Sequence, residues 1–425
     1  MARAFAVDVS LEVPLLVVPR LLAGPPLDGR AERLHDHLAR LGPLPAARDS
    51  RDLIQVLEAS GLLGRGGAGY PVGRKWRAVA EREHGSAVVV ANGAEGEPAS
   101  AKDRVLMAHR PHLVVDGALL AARAVGAEEL VFYVGSEHEA AVESMRRAIE
   151  QRRDELPGRT RLVRAPVGYV AGEASAAVHY IEASDPRPTT TPPRMSERGL
   201  RGRSTLVQNV ESLACVALVA RFGDAWYREA GRAGTPGTAL VTMSGDVRSP
   251  GVREIELGST VGEVVESAGG TTRDVGAVVL GGYFGTWARA EDVWELPLDP
   301  AAMRSQGLTF GCGMVGLLPA DACGVAATSR ILSFMAGESA QQCGPCMYGL
   351  RALADAMARL AAGRPREGDI ADLRRWSALV TGRGACRHPD GTAQLTASAM
   401  AVFESDIDHH VRTGRCLATG VRLAA

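Results

Sequence analysis

Between residues 64 and 76 the chain reads Gly64-Arg65-Gly66-Gly67-Ala68-Gly69-Tyr70-Pro71-Val72-Gly73-Arg74-Lys75-Trp76, with four glycines in its first six positions. Lacking Cβ atoms, such a loop lets backbone N–H groups converge on an anion and tolerates positive φ, so a phosphate is its natural guest. A helical pattern precedes it, with Leu53, Ile54, Val56 and Leu57 apolar and Gly61 as its stop. Beyond it, Ser86 to Ala91 reads as a buried strand running directly into the turn Asn92-Gly93-Ala94-Glu95-Gly96-Glu97-Pro98. A polar, glycine-containing turn at the carboxyl end of an apolar strand is where open α/β sheets take ligands. A glycine cluster by itself fits an ordinary strand–helix turn as well as a phosphate site.

The rest of the chain extends this alternation. Glu129 to Gly135 reads as a second strand and 137–153 as a helix. Gly168-Tyr169-Val170-Ala171-Gly172-Glu173 forms another small-residue loop, and Pro186 to Pro193 an irregular connection. From Gly237 the texture changes to short strands and turns around Ala239–Met243, Ser249–Val252 and Ala277–Gly281, with a helix over Val261 to Ala268. Helical patterns such as Leu350 to Ala362 and Ile370 to Val380 fill the end of the chain. This division predicts an N-terminal lead-in over 1–48, an α/β domain over 49–235, a small mixed module over 236–302 and a helical domain over 303–425.

Composition excludes several classes. The 48 Lys+Arg nearly cancel the 49 Asp+Glu, so no global basic field argues for nucleic acid or anionic lipid. The basic run from Arg152 to Arg164 is interrupted by Asp154 and Glu155 and has no interleaved aromatics, which also argues against nucleic acid. No apolar run reaches the roughly 18–20 residues needed to span a bilayer. With no signal-peptide pattern at the N-terminus, the expected location is the cytoplasm.

In such a reducing compartment, the seven cysteines are read as metal-binding or redox groups before disulfides. Cys343-Gly344-Pro345-Cys346 with Cys386 further on is the informative set. Adding His388 to these three would make a tetrahedral zinc site. Cys215, inside the apolar run Leu213 to Ala220, is expected to be a buried small hydrophobe. His409-His410, among Glu404, Asp406 and Asp408, is expected on a solvated helix face rather than at a metal.

Several motifs fall in one order: Gly64 to Pro71, Asn92 to Arg104 ending Glu97-Pro98…Lys102-Asp103-Arg104, Gly172-Glu173, Asn209-Val210-Glu211, and the cysteines. In that order the sequence resembles the flavin-bearing, NADH-oxidising subunit of respiratory complex I (the F-type subunit of NADH-quinone oxidoreductase) and its relatives in NAD-linked hydrogenases and formate dehydrogenases. The resemblance covers nearly all of the chain after residue 50. It implies an α/β protein with a Rossmann-like FMN domain, a β-grasp (soluble-ligand-binding) module and a C-terminal helical bundle carrying an iron–sulfur site. By the same resemblance, FMN would be held by Gly64, Arg65, Gly66, Lys75, Asn92, Glu95, Gly96, Tyr169, Gly172, Glu173, Asn209 and Ser212. A 4Fe-4S-type cluster would be held by Cys343, Cys346 and Cys386. The implied activity is electron transfer between FMN and that cluster, with a ferredoxin-like or other iron–sulfur subunit as partner, peripheral to a membrane complex.

The chain departs from the family's pattern where nicotinamide binds. Ala94 and Ala174 stand where the family has carboxylates, Thr191 and Arg194 where it has a lysine and an aromatic, and Ala78 where it has a phenylalanine. Tyr70 and Glu97 are the remnant of that pocket, so NADH is expected to be a poor substrate. At the cluster, Ala340 replaces the fourth thiolate, with Cys312, Cys323, Cys416 and His388 as candidates to complete the set. A rival expectation is a non-catalytic scaffold that keeps the fold and has lost nucleotide binding.

Overall fold

The computed structural model describes residues 18–45, 50–82, 87–232 and 234–416. The expected lead-in falls outside the described residues at 1–17 and 46–48, as does Ser86 at the start of the first strand.

The first sheet contains β1 (Ala87–Gly93), β2 (Ala127–Gly135), β3 (Arg159–Ala165) and β4 (Thr205–Asn209), all parallel, in the order β3-β2-β1-β4. Parallel strands need both faces covered, which explains why Val88, Val89 and Val90 can follow one another without a polar break. Their side chains alternate between faces. Val89, Leu130 and Phe132 pack with the helices Pro111–Val125 and Val210–Glu229. Val88, Val90, Val131 and Tyr133 pack against Ala177, Val178 and Ile181 of the helix Ala174–Ala183. The two long helices touch so closely that a Cβ on Gly117 would stand 1.9 Å from the carbonyl oxygen of Leu213.

The strand order has a functional consequence. The chain steps outward from β1 through β2 to β3, then returns to place β4 on the other side of β1. The topological switch point therefore lies between β1 and β4, where Asn92 and Asn209 are paired across the strands.

A second, mixed sheet comprises β5 (Thr238–Gly245), β6 (Gly251–Glu256), β7 (Val275–Leu280), β8 (Thr286–Arg289) and β9 (Met314–Pro319), in the order β8-β7-β9-β5-β6. Its helix, Val261–Ser267, starts at a capping box of Thr260 and Glu263 and lays Val261, Val264 and Val265 onto Val241, Val278 and Leu317. Central β9 pairs with both β5 and β7 although it lies beyond residue 302, so the sheet is completed by a strand from the segment expected to be helical. The helices Gly324–Gly337, Leu350–Ala361, Asp369–Val380, His388–Val402 and Glu404–Thr413 follow. Their core is continuous with the second sheet through Ala277, Val279, Trp287 and Met314. Among the described residues, no helix is long and apolar enough to cross a membrane.

Candidate flavin and iron–sulfur site

The glycine loop folds over the switch point. The Gly64 N–H donates to the Tyr70 carbonyl at 2.9 Å, closing the loop, and the Arg65 N–H donates to Ser212 Oγ at 2.9 Å, tying it to the helix after β4. A Cβ on Gly66 would stand 3.3 Å from the Cβ of Asn209, so the loop lies almost on the strand end. Asn209 caps that helix, its Oδ1 accepting from the Glu211 and Ser212 N–H groups at 3.0 and 3.3 Å. The Arg65 side chain turns away from the loop, donating to the Tyr227 hydroxyl and the Thr238 carbonyl in the interior. Both the N–H and the side chain of Arg65 are therefore committed within the protein.

Lys75 supplies the cation instead. Its Nζ donates to the Val207 carbonyl, no carboxylate among the described residues pairs with it, and burial pushes its ammonium down to about 8. A half-buried ammonium with one neutral acceptor beside a glycine-rich loop fits a phosphate.

The turn after β1 forms the opposite wall. Asn92 Nδ2 donates to the Gly172 carbonyl at 2.9 Å and its Oδ1 accepts from the Ala94 N–H at 3.2 Å. Gly172 packs so tightly here that a Cβ would stand 2.5 Å from the Ala94 carbonyl oxygen. Glu173 caps the helix Ala174–Ala183, accepting from Ser175 and Ala176 N–H at 2.9 Å each. Glu95 accepts from Ser100 Oγ at 2.6 Å and from the Asp103 and Arg104 N–H groups at 3.1 Å each, so its carboxylate braces the turn.

Behind this wall lies a buried ionic network whose members the family motif contains but whose role is not visible in the sequence. Lys102 Nζ sits 2.7 Å from Asp103 and 2.9 Å from Glu211, and Asn209 Nδ2 donates to Asp103 at 2.7 Å. Burial raises Asp103 above the ordinary carboxylate range against the pull of Lys102, with Glu95 and Glu211 adding to the rise.

The nicotinamide remnant divides. Tyr70 is 53% exposed at the mouth of the crevice, leaving its ring accessible for stacking. Glu97 is drawn inward, its carboxylate accepting from the Tyr283 N–H at 2.7 Å, the Tyr169 hydroxyl at 2.9 Å and the Ala99 N–H at 3.1 Å. Burial pushes it up to about 7 despite these donors. Ala78, Thr191 and Arg194 are exposed, and Ala174 is the first residue of its helix.

The cysteines meet as a spaced set. Cys346 lies in a single π-helical turn, Pro345–Gly349, with Ser339 Oγ 2.9 Å from its sulfur. Burial pushes the Cys386 thiol up to about 11, and it receives the His388 N–H with Cys346 and Cys343 among its neighbours. Among the described residues the only group with three ligand atoms within 4.8 Å of one another is Cys323, His410 and Cys416. Cys343, Cys346, Cys386 and His388 are therefore not drawn together closely enough for three of them to meet at a single ion. His388 Nε2 engages the Met335 carbonyl at 2.8 Å, its Nδ1 is buried without a hydrogen-bond partner, and its ring packs on Tyr169. The other candidates for the fourth position also lie elsewhere: Cys312 Sγ contacts the Gly281 carbonyl at 3.4 Å, while Cys323 and Cys416 converge with His410. Ser339, adjacent to Ala340, approaches the set at Cys346, and the Glu173 carboxylate approaches it at Cys386.

Cys215 is buried, as expected. His410, expected on a solvated face, is instead fully buried because its helix packs that face inward against the Leu360 carbonyl.

The fold and these two adjoining sites define a flavin- and iron–sulfur-dependent electron-transfer oxidoreductase. The family model of the Nuo51 FMN-binding domain matches residues 57–218, that of the SLBB domain 240–285, and that of the NADH-ubiquinone oxidoreductase-F iron-sulfur binding region 326–410. The chain is 31% identical to an F-type NADH-quinone oxidoreductase subunit of Rhizobium meliloti (strain 1021) over 86% of its length and 90% of the relative's. It is 31% identical to the corresponding NADH-quinone oxidoreductase subunit of Mycobacterium tuberculosis (strain H37Rv) over 86% of each chain. A crystal structure of an NAD+-reducing NiFe hydrogenase in the air-oxidized state superposes with a TM-score of 0.81 at 29% identity, covering 90% of this chain and 67% of the other. The chain belongs to the family of F-type NADH-quinone oxidoreductase subunits, and no feature of the site favours a non-catalytic scaffold.

Proposed function

We propose that this chain moves electrons between FMN in the crevice between β1 and β4 and a cluster on Cys343, Cys346 and Cys386. From there they would pass to or from a cytoplasmic ferredoxin-like protein or a companion iron–sulfur subunit, with NADH a poor donor. When bound, FMN exchanges electrons in pairs or singly and an iron–sulfur cluster exchanges them singly, so the protein's part is holding, spacing and electrostatics.

The glycine loop from Gly66 onward and the ammonium of Lys75 hold the phosphate. Asn92 and Asn209, fixed by the Gly172 carbonyl and Asp103, present polar groups to the flavin edge. Glu97 holds a proton near neutral pH beside the Tyr169 hydroxyl.

The observation that carries this reading is the position of Tyr169. Its hydroxyl reaches Glu97 in the flavin wall, while its ring lies 5.5 Å from that of His388, two residues from Cys386. One side chain thus spans from the flavin wall to the cysteine segment.

The nicotinamide side is stripped by comparison. Ala94, Ala174, Ala78, Thr191 and Arg194 leave Tyr70 as the accessible ring, and each lost contact weakens binding by about 1 kcal/mol. Together they lower affinity by orders of magnitude. Absorption spectra of anaerobically purified protein test the reading: flavin and iron–sulfur bands that bleach with a reduced ferredoxin, and slowly or not at all with NADH, support it. Spectra lacking both chromophores refute it.

A further inference from the structure

We propose that Cys323, His410 and Cys416 form a second metal site, separate from the cluster, that binds one zinc ion and fastens the end of the chain to the helix leading to the cluster cysteines. Their three ligand atoms lie within 4.8 Å of one another, with Cys323 and His410 buried.

The histidine is oriented as a metal ligand. Its Nδ1 lies 2.8 Å from the Leu360 carbonyl, which can only accept, so the ring proton belongs on Nδ1. Nε2 then carries a lone pair and points at Cys323 Sγ, 3.6 Å away. A carbonyl that fixes the tautomer while the other nitrogen faces thiols is the arrangement found behind ligating histidines. Two thiols and one imidazole form a soft, nitrogen-containing set that suits tetrahedral zinc.

The fourth position is accessible to oxygen. Asp406 lies one helical turn before His410 on the helix Glu404–Thr413 and lines a cavity that also reaches Ala322, the neighbour of Cys323. Asp406 is near enough to act electrostatically on Cys323 and His410 but lies outside the group of three, so the fourth ligand is a water from that cavity.

The ligands come from two segments far apart in sequence. Cys323 is the N-cap of the helix Gly324–Gly337, its sulfur accepting the Ala326 N–H at 3.3 Å, and that helix leads to Ser339 and the cluster loop. His410 and Cys416 belong to the last helix and the residues after it. A bond through the metal closes this long loop, so binding energy becomes folding energy for the helical domain.

The test is elemental analysis and zinc-edge X-ray absorption on the full-length, cluster-containing protein purified anaerobically and then incubated with zinc. The expected result is about one zinc per chain with two sulfurs near 2.3 Å and at least one imidazole. Zinc should be lost or bound at least tenfold more weakly in His410→Gln and Cys416→Ser, while Cys346→Ser should lose iron and sulfide and keep its zinc. If a substitution unfolds the chain, cobalt added to the zinc-free wild-type protein gives an independent reading through the visible bands of a tetrahedral thiolate site. A Cys323–Cys416 disulfide in the anaerobic protein, failure of wild type to take up zinc or cobalt, or zinc that follows Cys346 would overturn the proposal.

Discussion

The Tyr169 hydroxyl donates to Glu97 at 2.9 Å, in a setting where burial has already raised the carboxyl to about 7. The Tyr169 ring meanwhile packs on Phe284 at 4.9 Å and on His388 at 5.5 Å. The Glu97 carboxyl and the cysteine segment thus share contacts with one side chain.

This gives a pH prediction with a definite sign. The folded value for Glu97 lies above its ordinary 4.5, so its contribution to stability is full below that value and lost as pH rises through about 7. Across this window the loss is at most about 1.4 kcal/mol for each pH unit. Glu97→Gln cannot ionise, so its melting temperature should gain on wild type between pH 5 and pH 8. Parallel melting curves across that range would show that Glu97 ionises elsewhere.

Flavin retention depends on the loop and its cation. Lys75→Met removes a charge-assisted contact worth about 1.5–3 kcal/mol and should weaken FMN binding on the order of tenfold to a hundredfold. Gly66→Val should do at least as much, since a Cβ there already stands 3.3 Å from Asn209. FMN fluorescence titration of the folded variants measures both, and wild-type affinity in Lys75→Met would remove the phosphate assignment.

Much of this was legible in the sequence because it rests on local rules. The glycine loop, the Val88–Val90 run and the turn from Asn92 required only backbone chemistry and strand burial. Strand β4 is followed at once by the apolar Val210–Glu229 helix, which blurs its boundary, and β9 completes its sheet through partners far away in sequence. Arg65 lies in the right motif, yet its side chain satisfies Tyr227 and Thr238, a choice made by tertiary packing. The burial of His410 has a similar cause: its acidic neighbours give the stretch a solvated pattern, while the inward face of that helix is decided by Leu360 and Cys323.

The cluster should be fragile because of one methyl group. With Ala340 in place of a thiolate and the Ser339 hydroxyl beside it, air should remove iron quickly. Ala340→Cys should lengthen the cluster's lifetime in air severalfold and bring iron to about four per chain. Unchanged decay of the absorbance would mean that the fourth position is already filled.

Anaerobic mixing with NADH tests the stripped pocket. Flavin absorbance should fall slowly or not at all at micromolar NADH, and faster with a reduced ferredoxin. Rapid, stoichiometric bleaching by NADH would show that Tyr70 and Glu97 suffice for hydride transfer.

Electron sharing between the flavin and the cluster is tested most directly by electron paramagnetic resonance on FMN-loaded, anaerobic protein given less than one electron pair per chain. The expected spectrum shows a reduced iron–sulfur signal growing as flavin absorbance falls, with the signal absent in Cys386→Ser. Full bleaching of the flavin in wild-type protein with no iron–sulfur signal would contradict it.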